Sequence, residues 1–146
     1  MPGYEVAEFP GEMTCLVRGR ILAQASRMFV RNSYGALLRV EVRGRALTIF
    51  QADITPRPTQ SRRNSFRILT DLIEPHFGEN LIVLGDFNTP RESVHFAPLR
   101  AEMTNAFEPA GRGLADTWPM PLPVLSLDQI WGNRRLRPVS CAHGHS

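Results

Sequence analysis

The spacing of apolar residues changes several times along this chain, and each change marks an element. Residues 14–17 and 28–30 are short apolar runs that predict strands, with 23–26 turning between them. Residues 34–42 and 46–53 alternate on either side of Arg43-Gly44-Arg45, which predicts a hairpin. From Ser61 the period lengthens: Phe66, Leu69 and Ile73, with Phe77 further on, fall at helical spacing and form a stripe for burial. Pro75 predicts an irregular last turn and Gly78 suits the stop. Leu81-Ile82-Val83-Leu84 is a buried strand, and Gly85-Asp86 turns the chain at its end. A short helix follows near 92–96, interrupted by Pro98, and a second helical piece spans 99–105. Gly111-Arg112-Gly113 reads as a loop, 123–131 as a strand, and 137–141 as a last strand paired with it. The order is ββββαβαββ, without repeats or a linker.

Two of these strands carry chemistry. Asp86 and Asn88 stand two positions apart, so they point the same way if the extended geometry persists through Phe87. A carboxylate that accepts a proton from water, beside a neutral donor to an oxyanion, suits phosphate ester hydrolysis. The competing reading is a strand that ends in a Gly-Asp turn, with Asn88-Thr89-Pro90 opening the next loop. Downstream, Asp128 lies among apolar residues and shares a strand face with Ser126 and Ile130, while Leu125, Leu127 and Trp131 face the other way. A carboxylate there needs a partner, and histidine is the usual one in a hydrolase.

Gly85-Asp86-Phe87-Asn88 and, later, Leu127-Asp128-Gln129-Ile130-Trp131 resemble the two motifs of the endonuclease/exonuclease/phosphatase superfamily, in the right order, with Thr117-Trp118-Pro119 ahead of the second. The resemblance covers about the last half of the chain. It implies an α/β fold, a four-layer sandwich of two stacked mixed sheets flanked by helices. It also implies phosphoester hydrolysis with Mg²⁺ or Mn²⁺ and no covalent intermediate, on a substrate class that includes nucleic acids. In that scheme Asp86 orients or deprotonates the attacking water and is a possible metal ligand. Asn88 hydrogen-bonds the phosphate, and Asp128 holds a catalytic histidine.

The chain departs from the family pattern in three places. The expected Ser-Asp-His has no match, and the last residues are Cys141-Ala142-His143-Gly144-His145-Ser146. The opening Met1-Pro2-Gly3-Tyr4-Glu5 resembles the segment that follows the family's metal-binding Glu strand. Glu5, Glu8 and Glu12 lie among loop residues and read as solvated surface acids. Residues 1–146 are thus expected to form one domain of this type, without its first strands and its Asp-His segment. Third, Asp53 stands where many members carry a phosphate-contacting histidine. A carboxylate there binds a metal, holds an arginine near the substrate, or is a structural turn acid.

Thr55-Pro56-Arg57-Pro58 is a rigid loop, and Ser61-Arg62-Arg63 opens the helix. Arginines at a helix N-terminus oppose its dipole unless an anion is near. Arg57, Arg62 and Arg63 are therefore candidate phosphate clamps, against the alternative of a solvated basic face. His95 reads as a surface histidine of a helix, with a substrate groove as the alternative, and His76 as a cation at a helix end.

Composition narrows the picture modestly. With 146 residues, 42% hydrophobic and 21% charged, one domain with its own core is expected. Every basic side chain but histidine is arginine, and the net charge of +3 permits a polyanionic substrate without demanding one. Cys15 and Cys141 lack zinc-site spacing. No apolar run approaches membrane-spanning length. Two functions are consistent with these residues: a divalent-metal-dependent phosphoesterase, or a catalytically inactive relative that binds phosphate ligands or a protein partner.

Overall fold

The computed structural model describes residues 3–143. In chain order the elements are β1 (Glu5–Phe9), β2 (Met13–Val17), β3 (Arg20–Val30), β4 (Ser33–Val42), β5 (Arg45–Asp53), α1 (Arg62–Ile73), β6 (Leu81–Asp86), α2 (Ala97–Glu102), β7 (Met103–Asn105), α3 (Phe107–Ala110), β8 (Gly111–Arg112), β9 (Asp128–Asn133) and β10 (Cys141–Ala142). A six-stranded mixed sheet has the order β3-β4-β5-β6-β9-β7, and β1–β2 and β8–β10 form two-stranded sheets. The β4–β5 turn falls at Arg43 and Gly44, both at positive φ (52° and 74°), the geometry that matches the twist of a tight hairpin.

Within the large sheet, the parallel pair β5–β6 is joined by α1. Such a crossover sets the helix N-terminus near the ends of the strands it connects. Ser61 caps α1 by accepting from the Asn64 N–H (3.3 Å). Phe66, Leu69 and Ile73 are buried against Phe50, Leu81, Val83 and Trp131, and Phe87, Phe96 and Leu99 close that core. On the sheet's other face, Ala36, Leu38 and Val40 are buried beneath Ala7, Met13 and Val17 of the β1–β2 hairpin. The protein is thus α/β, with mixed sheets and flanking helices, as its sequence implies.

Several element boundaries differ from the sequence reading. Residues 23–26 do not turn but run through β3. Most of that strand is exposed, so burial imposes little alternation on it. β1 was not expected at all, and it places Glu5 and Glu8 on a strand; both remain exposed. Pro98 sits in the first turn of α2 instead of interrupting a helix, a position where its missing N–H costs nothing. The chain beyond α2 is strand β7, not helix. Residues 123–127 are loop, with only a single bridge between Trp118 and Leu125, and the strand begins at Asp128. Ser126 therefore shares no strand face with Asp128. β10 pairs in parallel with β8, which is strand and not loop, and not with β9.

Candidate active site

Register brings three carboxylates into one row. Asp53 of β5 is the Cα partner of Asp86 of β6, and Asp86 is the partner of Asp128 of β9. Neighbouring strands lie about 4.8 Å apart, so the acids repel one another across the sheet end. Burial, first of all, pushes the Asp86 carboxyl up from its ordinary value, and the charges of Asp128 and Asp53 add to this. Hydrogen bonds from Asn88 pull the other way. Asp53 is also raised, by burial. Asp128 is exposed.

The chain around Asp86 is unusual in two ways. Gly85 lies inside β6, not in a turn; its φ is +136°, and a Cβ there would stand 1.9 Å from the Ala52 carbonyl oxygen. Glycine is therefore demanded by close approach as well as by conformation. Asn88, at φ +44°, is left-handed, so the extended geometry does not persist through Phe87. The two side chains nevertheless meet, because the chain curls back. Asp86 Oδ1 accepts from the Asn88 N–H (2.8 Å), and Asn88 Nδ2 donates to Asp86 Oδ2 (3.0 Å) and to the Ile54 carbonyl (2.8 Å). A carboxamide has two N–H donors, and both are engaged here.

Beyond the sheet end the strands stay joined. The Ile54 N–H donates to the Asp86 carbonyl (2.8 Å) and the Phe87 N–H to the Leu127 carbonyl (3.0 Å). Two residues of the motifs quoted above, to which the sequence assigned no role, complete this frame. Thr117 Oγ1 accepts from the N–H groups of Leu127 (3.1 Å) and Asp128 (3.2 Å), fixing where Asp128 starts its strand. Gln129, buried opposite the exposed face of Asp128, donates from Nε2 to the carbonyls of Thr89 (3.0 Å) and Ser126 (2.9 Å). It ties the loop after Asn88 to the loop before Asp128. The signal for Gln129 was present: an amide on the apolar side of a strand must find partners.

The arginines separate. Arg62 turns inward and donates to the Thr55 carbonyl (2.5 Å), close enough to feel the Asp86 charge. Burial lowers its pKa and Asp86 opposes that shift; it stays a cation. Arg63 instead lines an open groove of about 680 Å³ with Phe66 and His95, whose rings stack at 6.1 Å. The Arg57 main chain caps onto Thr55 Oγ1 (3.4 Å), and its side chain is exposed. His76 pairs with Glu79 through Nδ1 (3.2 Å). His143 stacks on Phe107 (5.4 Å), and His145 lies outside the described residues.

The donor set near Asp86 is all oxygen, which suits Mg²⁺ or Mn²⁺. Among the described residues no three His, Cys, Asp or Glu groups converge on one point. Mg²⁺ commonly takes one or two carboxylates and fills its shell with water and substrate phosphate, and a pair such as Asp86 and Asp53 fits that pattern.

Comparison with known proteins agrees with this fold. Residues 11–146 match the model of the Endonuclease/Exonuclease/phosphatase family. No curated protein matches the chain. Among solved structures, D. rerio TDP2 complexed with a single-strand DNA product is similar with a TM-score of 0.67 and 16% identity, covering 93% of this chain and 65% of that one. A mannosyl-6-phosphatase from Bacteroides thetaiotaomicron is similar at TM-score 0.71 and 13% identity, covering 92% of this chain and 64% of its own. The human Nocturnin catalytic domain with bound sulfate follows at 0.70 and 16%, covering 90% and 61%. This chain spans less than two thirds of the length of each of the three.

Proposed function

The chain belongs to the endonuclease/exonuclease/phosphatase family, and from that premise we propose that it hydrolyses a phosphoester by attack of water, with Asp86 at the centre of the site. The observation that carries this reading is the carboxylate row, in which burial and two neighbouring acids make Asp86 more basic than an ordinary carboxylate. A base of raised pKa takes a proton from water more readily. Asn88 holds Asp86 in place, and a contact from its Nδ2 to phosphate would replace one of the two bonds it makes now. Arg62, at the edge of the row, supplies a cation for the phosphate oxygens. Asp128 positions a proton carrier, and no described histidine pairs with it. Asp86 and Asp53 would hold Mg²⁺ or Mn²⁺, which when bound offsets phosphate charge. The similar structures include a DNA complex and a sugar phosphatase, so the substrate is named here only as a phosphoester, nucleic acid included.

Among the described residues the Asp128 carboxylate has no partner, which favours a second reading, in which the chain binds phosphate groups without turning them over. Hydrolysis of bis(p-nitrophenyl) phosphate in Mg²⁺ or Mn²⁺ separates the two. Turnover that disappears in Asp86→Ala and on chelation supports the hydrolase. A folded chain with no turnover that still binds phosphate supports the second reading.

A further inference from the structure

The loop between Thr117 and Leu127 stands out chemically from the rest of the surface. Trp118 (55% exposed), Met120 (61%), Leu122 (79%) and Val124 (69%) occupy every second position and all face solvent. Pro119, Pro121 and Pro123 fill the positions between them, and no charged residue lies from 118 to 127. The base of the loop is pinned: the Trp118 N–H donates to the Leu125 carbonyl (3.0 Å), and the Val124 and Leu125 N–H groups donate to the Trp118 carbonyl (3.0 and 2.9 Å). Thr117, at the same base, holds Asp128, so the loop rises directly beside the carboxylate row.

We propose that this loop is a lipid-interface anchor, whose four apolar side chains enter the head-group region of a bilayer. Taking a loop out of water is opposed by its unpaired backbone N–H and C=O groups. Proline has no N–H, so among residues 119–123 only Met120 and Leu122 carry one. The spacing thus offers apolar side chains while removing the donors that resist leaving water. Tryptophan is the residue that favours the membrane–water boundary. The loop carries no charge of its own, so its entry strips no ion of water.

Other occupants fit less well. A single-stranded nucleic acid is held by a basic groove and successive aromatic rings, and this loop has one ring and no cation. A second copy requires roughly 800 Å² per partner for a stable interface, more than the seven residues 118–124, five of them exposed, supply. The anchor goes beyond the hydrolase reading, and its test needs no turnover, so either can fail alone.

Trp131 is fully buried and Trp118 is exposed, so a change in tryptophan emission on binding reports the loop. The full chain is mixed with phosphatidylcholine–phosphatidylserine vesicles, with pure phosphatidylcholine vesicles, with oligo-dT, and alone over a concentration series. The expected result is a blue shift and co-sedimentation with vesicles of either composition. Leu122→Asp and Met120→Asp, both at exposed positions, should keep the wild-type melt and weaken partitioning by about tenfold or more, the worth of one buried leucine. The proposal is overturned if the wild type does not partition, if Leu122→Asp partitions equally, or if the shift arises with oligo-dT or with concentration alone.

Discussion

Asn88 grips Asp86 through both ends of the carboxylate: its main-chain N–H reaches Oδ1 at 2.8 Å while its side-chain nitrogen reaches Oδ2 at 3.0 Å. This double contact is possible only because Asn88 sits at φ +44° and folds back over Phe87. The same Nδ2 ties the pair to Ile54 at 2.8 Å, and so to the end of β5.

Replacing Asn88 should therefore act through the backbone as well as the side chain. Alanine in a left-handed conformation costs about 1–2 kcal/mol, and the two lost side-chain bonds add about 0.5–1.5 kcal/mol each. Asn88→Ala is expected to destabilise by about 2–5 kcal/mol in denaturant melts. Asn88→Gly, which accepts the conformation freely, should lose less. Equal losses in the two variants would show that the conformation contributes nothing.

The strained electrostatics of Asp86 predict a pH dependence with a definite sign. Burial, then Asp128 and Asp53, hold its folded pKa above the unfolded value, so between those two values the native state binds more protons than the unfolded chain. The contribution of Asp86 to stability is then fully present in acid and is lost as pH rises through the folded pKa. Asp86→Asn removes the charge but turns one of the two oxygens that accept from Asn88 into a donor. The sign is therefore read from the pH dependence: relative to the wild type, the variant's melting temperature should rise from mild acid to neutral pH. A difference between variant and wild type that does not change with pH would refute this account of the site. Asp53→Asn should behave with the same sign, since burial raises Asp53 as well.

A cation between these carboxylates would relieve the same repulsion. Mg²⁺ or Mn²⁺ at about tenfold above its Kd should stabilise the chain by about 1.4 kcal/mol, and a chelator should remove the gain. In Asp86→Asn the gain should vanish. A metal-dependent shift that survives this substitution would place the ion elsewhere.

The parts of this protein that were legible in its sequence are the local ones. Helix α1 starts beside Ser61, Arg43 and Gly44 make the hairpin turn, and Asp128 shares its face with Ile130, because each depends on residues within a few positions of one another. The row of Asp53, Asp86 and Asp128 depends on register between strands far apart in sequence, which alternation within one strand does not encode. Arg62 and Arg63 were indistinguishable as neighbours, yet a helix turns successive side chains by about 100°, so one faces the carboxylates and the other a groove. Proximity of Asp86 and Asn88 was expected for the wrong reason: strand alternation was assumed, and a left-handed residue achieved it.

Gly85 offers the sharpest test of how the site is built. Its place in the sequence suggested a turn, but it lies within β6, register partner to Ala52 on the parallel strand. Any Cβ would meet the Ala52 carbonyl oxygen at 1.9 Å, and that oxygen belongs to the backbone, which yields only if β5 and β6 separate. Such separation would pull Asp53 away from Asp86. Gly85→Ala should thus destabilise by about 3 kcal/mol or more, beyond the usual range for overpacking. Gly44 is the control: its φ is also positive (+74°), but nothing lies within 4 Å of its Cβ position. Gly44→Ala should cost only the conformational strain, about 1–2 kcal/mol. Should the two substitutions prove equally mild in chemical denaturation, strand contact at Gly85 is not what holds Asp53 and Asp86 side by side.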